Sequence, residues 1–457
     1  MSKKYDAIII GAGMSGLAAG IRLAMFDKKV CILEKHSISG GLNSYYQRGK
    51  HQLDVGLHAM TNFIEKGERG KPLSKLLKQL RIPYDQLELI PQKQSQIWFP
   101  ETKLHFNNDF ELLRSEVTEN FPNQIDGFNK LVEEINAYNE VALDNPFYLA
   151  KEVVRKFITD ENLLEMLFAP LLIYGSAWEN DMDFSQFVIM FKSIYLEGFS
   201  RPRGGVRTII DLLLEKFEKL GGELHFKTQV AEVLSHNGET SGLITTDGQL
   251  WETSQIISSI GLPETQSLLE SPKNESRIGK MSFTESIALF DSIPKSDNTI
   301  IFYNNTPKYA YRCPDELIDK QSAVVCLPNN FKENDNQNGI IRVTHIANSQ
   351  KWFALERKQY KEQKKLVLDE ALQLSKKLLP GFSGEVIFND VFSPTTIKRY
   401  TGHLGGCVYG SPDKARDGRT GIKGLNICGT DQGFLGIVGA MLSGISIANL
   451  YGLMEST

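Results

Sequence analysis

Continuous hydrophobic runs mark both ends of the chain. Near the start, the runs at Ala7–Ile10 and Val30–Leu33 predict two buried strands, with a helix-forming stretch between them over about residues 14–26. Near the end, a short apolar run before Gly429 and a longer one after Gly433 predict a further strand and helix. The N-terminal pattern is that of a strand–helix–strand unit.

Helical and alternating patterns fill the middle of the chain. Residues 206–220 are amphipathic and end at a Gly-Gly pair, and strands are predicted at 223–226 and 229–234 with a hairpin through Asn237-Gly238. Further strands at 286–290, 323–327 and 340–345 precede a helix predicted over 349–379. The apolar segments 163–174 and 184–199 predict either core helices or the lining of a pocket for a long apolar molecule.

The turn after the first strand carries the spacing Gly11-x-Gly13-x-x-Gly16. Gly11 permits the tight turn, Gly13 lets the backbone approach a pyrophosphate, and Gly16 allows the helix to pack closely on the strand. The helix N-terminus favours the bound anion. Glu34 ends the second strand, where an acid binds ribose hydroxyls. These features together predict a dinucleotide-binding site.

Two other segments have alternative interpretations that involve a membrane. Residues 433–454 contain no charged residue and are long enough to span one, but their repeated glycines favour close packing on a cofactor and a sheet. Residues 147–158 are amphipathic and carry Lys151, Arg155 and Lys156. They predict either a helix lying on an anionic membrane surface or an ordinary exposed helix.

Composition narrows the function further. The chain has 457 residues, 41% of them hydrophobic, which is enough for two domains with full cores. A net charge of −4 without a long basic run disfavours a nucleic-acid partner. The five cysteines form no CxxC pair, no cluster has metal-ligand spacing, and the glycine motif begins too early for a signal peptide. We therefore expect a cytoplasmic protein, either free or associated with a membrane surface, without disulfides or a metal.

Five stretches in order carry a family resemblance. They are the first glycine motif through Glu34, the run 40–46 with Asp54-x-Gly56-x-His58, the run 201–206, the run 256–263, and the C-terminal glycines. This order resembles the phytoene desaturase, carotenoid isomerase and retinol saturase group of FAD-dependent oxidoreductases, which is related to the amine oxidases. The pattern at Asp54–His58 is most similar to the retinol saturases.

The resemblance implies an α/β fold, with a discontinuous Rossmann-like FAD-binding domain and an inserted α+β substrate domain. The FAD-binding domain is expected at 1–70, 200–285 and 385–457, and the substrate domain at 71–199 and 286–384. The residues expected to bind FAD are Gly11, Gly13, Ser15, Gly16, Glu34, Lys35, Gly41, Leu42, Asn43, His58, Val230, Gly429, Asp431, Gly436, Ile437 and Val438.

Several of these assignments have structural alternatives. Desaturases and amine oxidases of this superfamily usually carry arginine where this chain has Leu42, so one phosphate contact is absent or supplied elsewhere. Asp431 is expected either at the ribityl or pyrophosphate region or as a helix cap, and Asp54 as a turn cap is the simpler alternative. The free amides at Gly436–Val438 would stabilise negative charge on reduced flavin.

His58 is the candidate catalytic side chain. It would exchange a proton beside the flavin, or alternatively fix its loop by a hydrogen bond to a backbone carbonyl. A further set is expected mostly on the surface or in a phosphate loop: Arg201, Arg203, Arg399, Tyr400 and His403.

The expected reaction is FAD chemistry on the carbon–carbon bonds of a hydrophobic isoprenoid or polyene, as desaturation, saturation or cis–trans isomerisation. Only one dinucleotide motif is present, so net redox would need an external electron donor or acceptor. Two rivals share the fold. One is an amine or protoporphyrinogen oxidase, and the other is a flavin-free prenyl-binding protein similar to the GDP-dissociation inhibitors.

Overall fold

The computed structural model describes residues 3–269, 277–332 and 338–454, and the outermost ends of the expected domains lie outside these ranges. Its strands are β1 Lys3–Lys4, β2 Ala7–Ile10, β3 Val30–Leu33, β4 Tyr45–Arg48, β5 His51–Asp54, β6 Leu89–Pro91, β7 Gln94–Trp98, β8 Lys103–Phe106, β9 Ser200–Pro202, β10 Glu223–His225, β11 Val230–His236, β12 Glu239–Thr245, β13 Leu250–Glu252, β14 Ile256–Ser258, β15 Ser282–Phe290, β16 Asn298–Asn304, β17 Ser322–Cys326, β18 Gly339–Ala347, β19 Val386–Phe392 and β20 Leu425–Ile427.

The α-helices lie between these strands along the chain, and most fall between residues 72 and 219 or between residues 349 and 401. They are α1 Met14–Ala24, α2 Pro72–Leu80, α3 Phe110–Asn120, α4 Ile125–Ala137, α5 Ala150–Val154, α6 Glu161–Gly175, α7 Phe184–Phe191, α8 Val206–Lys219, α9 Leu262–Gln266, α10 Ser349–Phe353, α11 Arg357–Leu378, α12 Pro394–Thr401 and α13 Gly436–Ile447.

A parallel sheet joins the start, middle and end of the chain. Its strand order is β10-β3-β2-β14-β20, and α1, α8 and α13 pack together beside it in one core. Strands β3, β2, β14 and β20 are short and wholly buried, as continuous apolar runs predict for a parallel sheet covered by helices, while the edge strand β10 is partly exposed. The α/β fold and the N-terminal strand–helix–strand unit are confirmed.

Two other sheets are mostly antiparallel, each with one parallel pair, β1 with β13 and β7 with β16. A small sheet in the order β1-β13-β12-β11 contains the predicted hairpin, whose turn residues Asn237 and Gly238 both have positive φ, as a tight two-residue turn requires. A larger sheet in the order β19-β15-β18-β17-β16-β7-β8 packs one face on the apolar helices α6 and α7. The two apolar segments therefore form the core beneath this sheet.

Two contacts cross the expected domain boundaries, which themselves stay a prediction. Helix α2 lies in the predicted substrate segment, yet its leucines Leu73, Leu76 and Leu80 pack in the same core as α1 and α13. Strand β19 lies in the predicted FAD segment, yet it pairs with β15 in the larger sheet. Local periodicity cannot reveal either partner, because both contacts are made across long separations. The helix expected over 349–379 is interrupted, and a capping box at Glu356 starts α11.

The C-terminal apolar segment packs on α1. Residues 436–454 form the one described stretch that is long and apolar enough to cross a membrane, and 56% of it is buried within the protein. A Cβ atom on Gly444 would lie 2.0 Å from the Ser15 carbonyl oxygen, and one on Gly452 would lie 2.4 Å from Leu23. The glycines allow close packing as expected, but their partner here is α1 rather than the sheet.

The amphipathic segment 147–158 does not form the surface helix that was expected. Only Ala150–Val154 is α-helical, and the Lys151 side chain is buried in an ion pair with Glu165 at 2.8 Å. Arg155 forms an exposed pair with Glu161 at 2.9 Å. Lys151 therefore faces the interior and not a membrane surface.

Candidate functional site

One elongated cavity of about 1020 Å³ runs along the parallel sheet and under the larger sheet. Its volume is at the upper end of the roughly 300–1,000 Å³ typical of ligand sites. Most of the expected cofactor residues line it: Gly11, Gly13, Ser15, Glu34, Lys35, Gly41, Leu42, Asn43, His58, Val230, Gly429, Asp431, Gly436 and Ile437. Gly16 and Val438 lie just outside the lining.

The N-terminus of α1 opens onto this cavity. Gly13 is the N-cap residue, no side chain caps the helix, and a Cβ atom at Gly13 would meet nothing within 4 Å. At Gly16 a Cβ atom would lie 2.1 Å from the Gly11 carbonyl oxygen, so this glycine keeps the helix against the strand. The backbone around Gly13 is thus open to a diphosphate, and the first helical amides are available to it.

Glu34 lines the cavity and also connects two segments of its wall. Its carboxylate is 8% exposed and accepts hydrogen bonds from the amides of Ala12 and His36, each at 2.8 Å. The glycine loop and the segment after β3 are therefore tied together by this side chain. The sequence predicted the ribose contact but not this second role.

The Gly40–Asn43 turn faces the glycine loop. Gly40 and Gly41 both have positive φ, and a Cβ atom on Gly41 would point to the Gly13 Cα at 3.8 Å. The amide of Gly40 donates to the Ala12 carbonyl at 2.8 Å. Leu42 lines the cavity within this turn, so the turn itself carries no cation.

Asp431 is buried, bound by backbone amides, and paired with Lys414 Nζ at 3.6 Å. It accepts from the Leu262 amide at 2.6 Å and from the Ser411 amide at 2.7 Å. It does not cap α13, since Leu435 is the N-cap residue and no side chain caps that helix. The first amides of α13 are therefore free toward the cavity, while the Val438 side chain packs in the core.

The opposite end of the cavity is apolar. The residues that line it are Ala59, Ile173, Tyr174, Met190, Phe283, Val324, Val408, Tyr409 and Leu435. Phe283 and Tyr409 meet edge-on with ring centroids 5.9 Å apart. Such walls suit an apolar ligand beside the cofactor space.

A polar constellation around His58 interrupts these apolar walls. The Nε2 atom of His58 lies 3.0 Å from both carboxylate oxygens of Glu285 and 3.1 Å from the Thr344 hydroxyl. Glu285 also accepts from Arg342 Nε at 2.6 Å. Burial alone would raise the pKa of Glu285, but the charges of His58 and Arg342 outweigh it and hold the pKa at about 2.

Two arginines position the His58 loop. Arg342 donates to the carbonyls of Leu57 at 2.7 Å and Val55 at 2.6 Å, and Arg201 donates to the Leu57 carbonyl at 2.9 Å. Arg201 is also paired with Asp54. The expectation of a surface or phosphate-loop role is wrong for Arg201, and Asp54 is an ion-pair partner rather than a simple turn cap.

Sequence reasoning missed the polar partners of His58. Glu285 and Thr344 lie on neighbouring strands β15 and β18, directly opposite one another in the register. Neither belongs to a motif. The one available signal was a glutamate inside a strand whose other positions are almost all apolar or small, because such a charge is rarely buried without a partner.

Comparison with known proteins agrees with this geometry. The family described as flavin containing amine oxidoreductase matches residues 14–450. Prolycopene isomerase from Daucus carota is 26% identical over 98% of this chain and 80% of its own length. All-trans-retinol 13,14-reductase from Danio rerio is 22% identical over 97% of this chain and 85% of its own length. A neurosporene-forming phytoene desaturase from Rhodobacter capsulatus is 24% identical over 56% of this chain and 53% of its own length.

Solved structures show the same fold. An oxidoreductase from Methanosarcina mazei superposes with a TM-score of 0.68 at 18% identity, covering 98% of this chain and 100% of that one. Cyclohexylamine oxidase from Brevibacterium oxydans superposes with a TM-score of 0.63 at 15% identity, covering 99% and 100%. At these identities the likeness concerns the fold alone.

Proposed function

Because this chain belongs to the flavin-containing amine oxidoreductase family, is an FAD-dependent oxidoreductase and takes FAD as its cofactor, we propose that it isomerises carbon–carbon double bonds of a hydrophobic polyene between cis and trans. One observation carries the proposal. The apolar end of the cavity is continuous with the dinucleotide end and contains the His58–Glu285 pair. The match to a prolycopene isomerase over nearly the whole chain supports the substrate class.

The charge at the apolar end favours a neutral ligand over an amine. An ammonium substrate would need a partner for its charge, either a carboxylate with free negative charge or the faces of aromatic rings. Glu285 is the carboxylate at this end among the described lining residues, and Arg342 and His58 already compensate it. A polyene needs no such group.

When bound, FAD supplies the exchange of hydride or electrons with a substrate carbon. The chain supplies the environment and the proton. Glu285 accepts from His58 Nε2, which leaves Nδ1 as the ring nitrogen without a partner in the described part of the chain. Nδ1 would hold or release a proton at the substrate, and Glu285 would stabilise the imidazolium. The apolar walls exclude water from this exchange.

Saturation is the second candidate, because the retinol reductase match also spans nearly the whole chain. A saturase consumes electrons at each turnover and would need an external donor, since the chain carries one dinucleotide motif. An isomerase consumes none, so the two reactions differ in electron balance.

The deciding experiment mixes chemically reduced, oxygen-free enzyme with a panel of carotenoids and retinoids while flavin absorbance and product mass are followed together. We expect an isomeric product of unchanged mass with a flavin that stays reduced. Flavin reoxidation with a product two hydrogens heavier would establish saturation instead. No reaction with any polyene, together with turnover of amines by the oxidised enzyme, would overturn the proposal.

A further inference from the structure

Buried negative charge is concentrated at the dinucleotide end of the cavity. Glu34, Glu264 and Asp431 line it and are 8%, 8% and 2% exposed. Glu264 accepts from the Leu404 amide at 2.7 Å, so all three carboxylates are held by backbone amides, and Asp431 also pairs with Lys414 at 3.6 Å. A diphosphate brought beside them needs compensating positive charge, because charges repel more strongly in a buried site than in water.

The elements that face the diphosphate site supply only part of that charge. The N-terminus of α1 contributes the equivalent of roughly half a unit charge. The opposing Gly40–Asn43 turn contributes none, since its central side chain is Leu42. Cationic side chains must therefore come from other segments that line the cavity.

Lys35 is the first such side chain. It follows Glu34 directly, and its ammonium lies against the loop after α12, where a Cβ atom on Gly402 would be 2.5 Å from Lys35 Nζ. Burial lowers the pKa of Lys35, while Glu34 and Glu264 act in the opposite direction. No hydrogen bond or ion pair within the described ranges occupies this ammonium.

His403 is the second, and it lies on the same loop. Its Nδ1 donates to the Cys407 carbonyl at 2.9 Å, which leaves Nε2 without a partner among the described residues. Burial lowers the pKa of His403, but contact with the Cys407 side chain and the charges of Glu264 and Asp431 outweigh it and raise the pKa to about 9. His403 lines the cavity, and the raised pKa favours its imidazolium form there.

We propose that His403 and Lys35 bind the pyrophosphate of FAD, with His403 donating through Nε2 and Lys35 through its ammonium. The loop 402–411 is then part of the cofactor site, fixed by its amide contacts with Glu264 and Asp431. The Gly40–Asn43 turn carries Leu42 and therefore no positive charge toward the pyrophosphate. His403 and Lys35 supply that charge instead. This inference rests on FAD as the cofactor and not on the polyene reaction, so either can fail without the other.

The test measures the dissociation constants of FAD and riboflavin with apoprotein, by quenching of flavin fluorescence. Riboflavin has no phosphate and reports on the ring site alone. We expect His403→Gln to weaken FAD roughly 10- to 150-fold, the range for a lost charge-assisted hydrogen bond, and to leave riboflavin unchanged. Lys35→Gln should weaken FAD in the same selective way.

Two further variants separate charge from structure. His403→Lys restores a cation and should recover most of the FAD affinity. Lys364→Gln removes a cation that lines the same cavity but is already paired with Asp390 at 3.4 Å, and it should bind FAD like the wild type.

Equal losses for FAD and riboflavin would overturn the proposal, as would wild-type FAD affinity in both His403→Gln and Lys35→Gln. If His403→Gln does not fold, judged by circular dichroism of the apoprotein, Lys35→Gln decides alone. An unchanged FAD dissociation constant in that variant would then overturn the assignment.

Discussion

At the dinucleotide end of the cavity the walls are largely backbone, whereas at the apolar end they are side chains from distant strands. Glycines and the N-termini of α1 and α13 form the first end. The second depends on Glu285 and Thr344 meeting His58 across more than two hundred residues of sequence. The dinucleotide end depends on glycines close together in sequence, so it is visible as a sequence motif. The apolar end depends on side chains that are far apart in sequence, so it leaves no such motif.

The largest expected effect tests the backbone end. A Cβ atom at Gly13 would meet nothing within 4 Å, so we expect Gly13→Leu to fold, to place its side chain in the diphosphate space and to bind no FAD. Gly13→Ala should lose far less affinity, because a single methyl group intrudes little. Flavin content after purification and the far-ultraviolet circular dichroism spectrum check both points. Stoichiometric flavin in Gly13→Leu would refute the placement of the diphosphate.

The next effect tests the side-chain end. Glu285→Ala leaves Arg342 buried without its carboxylate, so we expect a loss of about 3–5 kcal/mol in the free energy of unfolding. Glu239→Ala breaks an exposed pair with Lys423 and should cost less than about 1 kcal/mol. Urea unfolding of both variants gives the comparison. Equal losses would mean that the Glu285 constellation is not a buried, coupled unit.

The same carboxylate predicts a pH dependence. The folded-state pKa of Glu285 is about 2 against an ordinary value of 4.5, so its contribution to stability is present above about pH 4.5 and is lost as the pH falls toward 2. The contribution is roughly 3 kcal/mol by the usual conversion. We expect the stability difference between the wild type and Glu285→Gln to shrink over this range. A difference that is constant with pH would contradict the lowered pKa.

The smallest expected effect returns to the dinucleotide end. Glu34→Ala should weaken FAD binding by about 1.5–3 kcal/mol, as for the loss of a charge-assisted hydrogen bond. Because Glu34 also accepts from Ala12 and His36, the apoprotein should become less stable too. Titration with FAD and thermal unfolding of the apoprotein measure the two losses separately. An unchanged dissociation constant would mean that the ribose is held elsewhere.

The difference between the two ends of the cavity also explains which features could be predicted from the sequence. The strand–helix–strand unit, the hairpin at Asn237-Gly238 and the glycine turns were predicted because each depends on residues close in sequence. Family resemblance added the C-terminal motif and FAD, and the family match confirmed both the fold and the cofactor. The role of each lining residue toward FAD stays a prediction.

The features that were missed all depend on contacts between distant segments. The pairing of β19 with β15 and the packing of α2 on α13 both cross expected domain boundaries. The role of Arg201 was missed for the same reason, because its ion-pair partner Asp54 lies in another segment of the chain. His403 was expected on the surface or in a phosphate loop, and local sequence could not show that Cys407, Glu264 and Asp431 surround it.

The parallel sheet has a consequence for how the protein is made. Strand β20 pairs with β14, and α13 closes on α1 through contacts such as Gly444 with Ser15. During translation the first glycine loop emerges long before these partners exist, and at about 5–20 residues per second it waits tens of seconds for them. The cofactor site is therefore complete only once β20 and α13 have been made. We expect a chain truncated before α13 to keep the glycine motif but to bind flavin more weakly, because the uncapped amides at the start of α13 are absent.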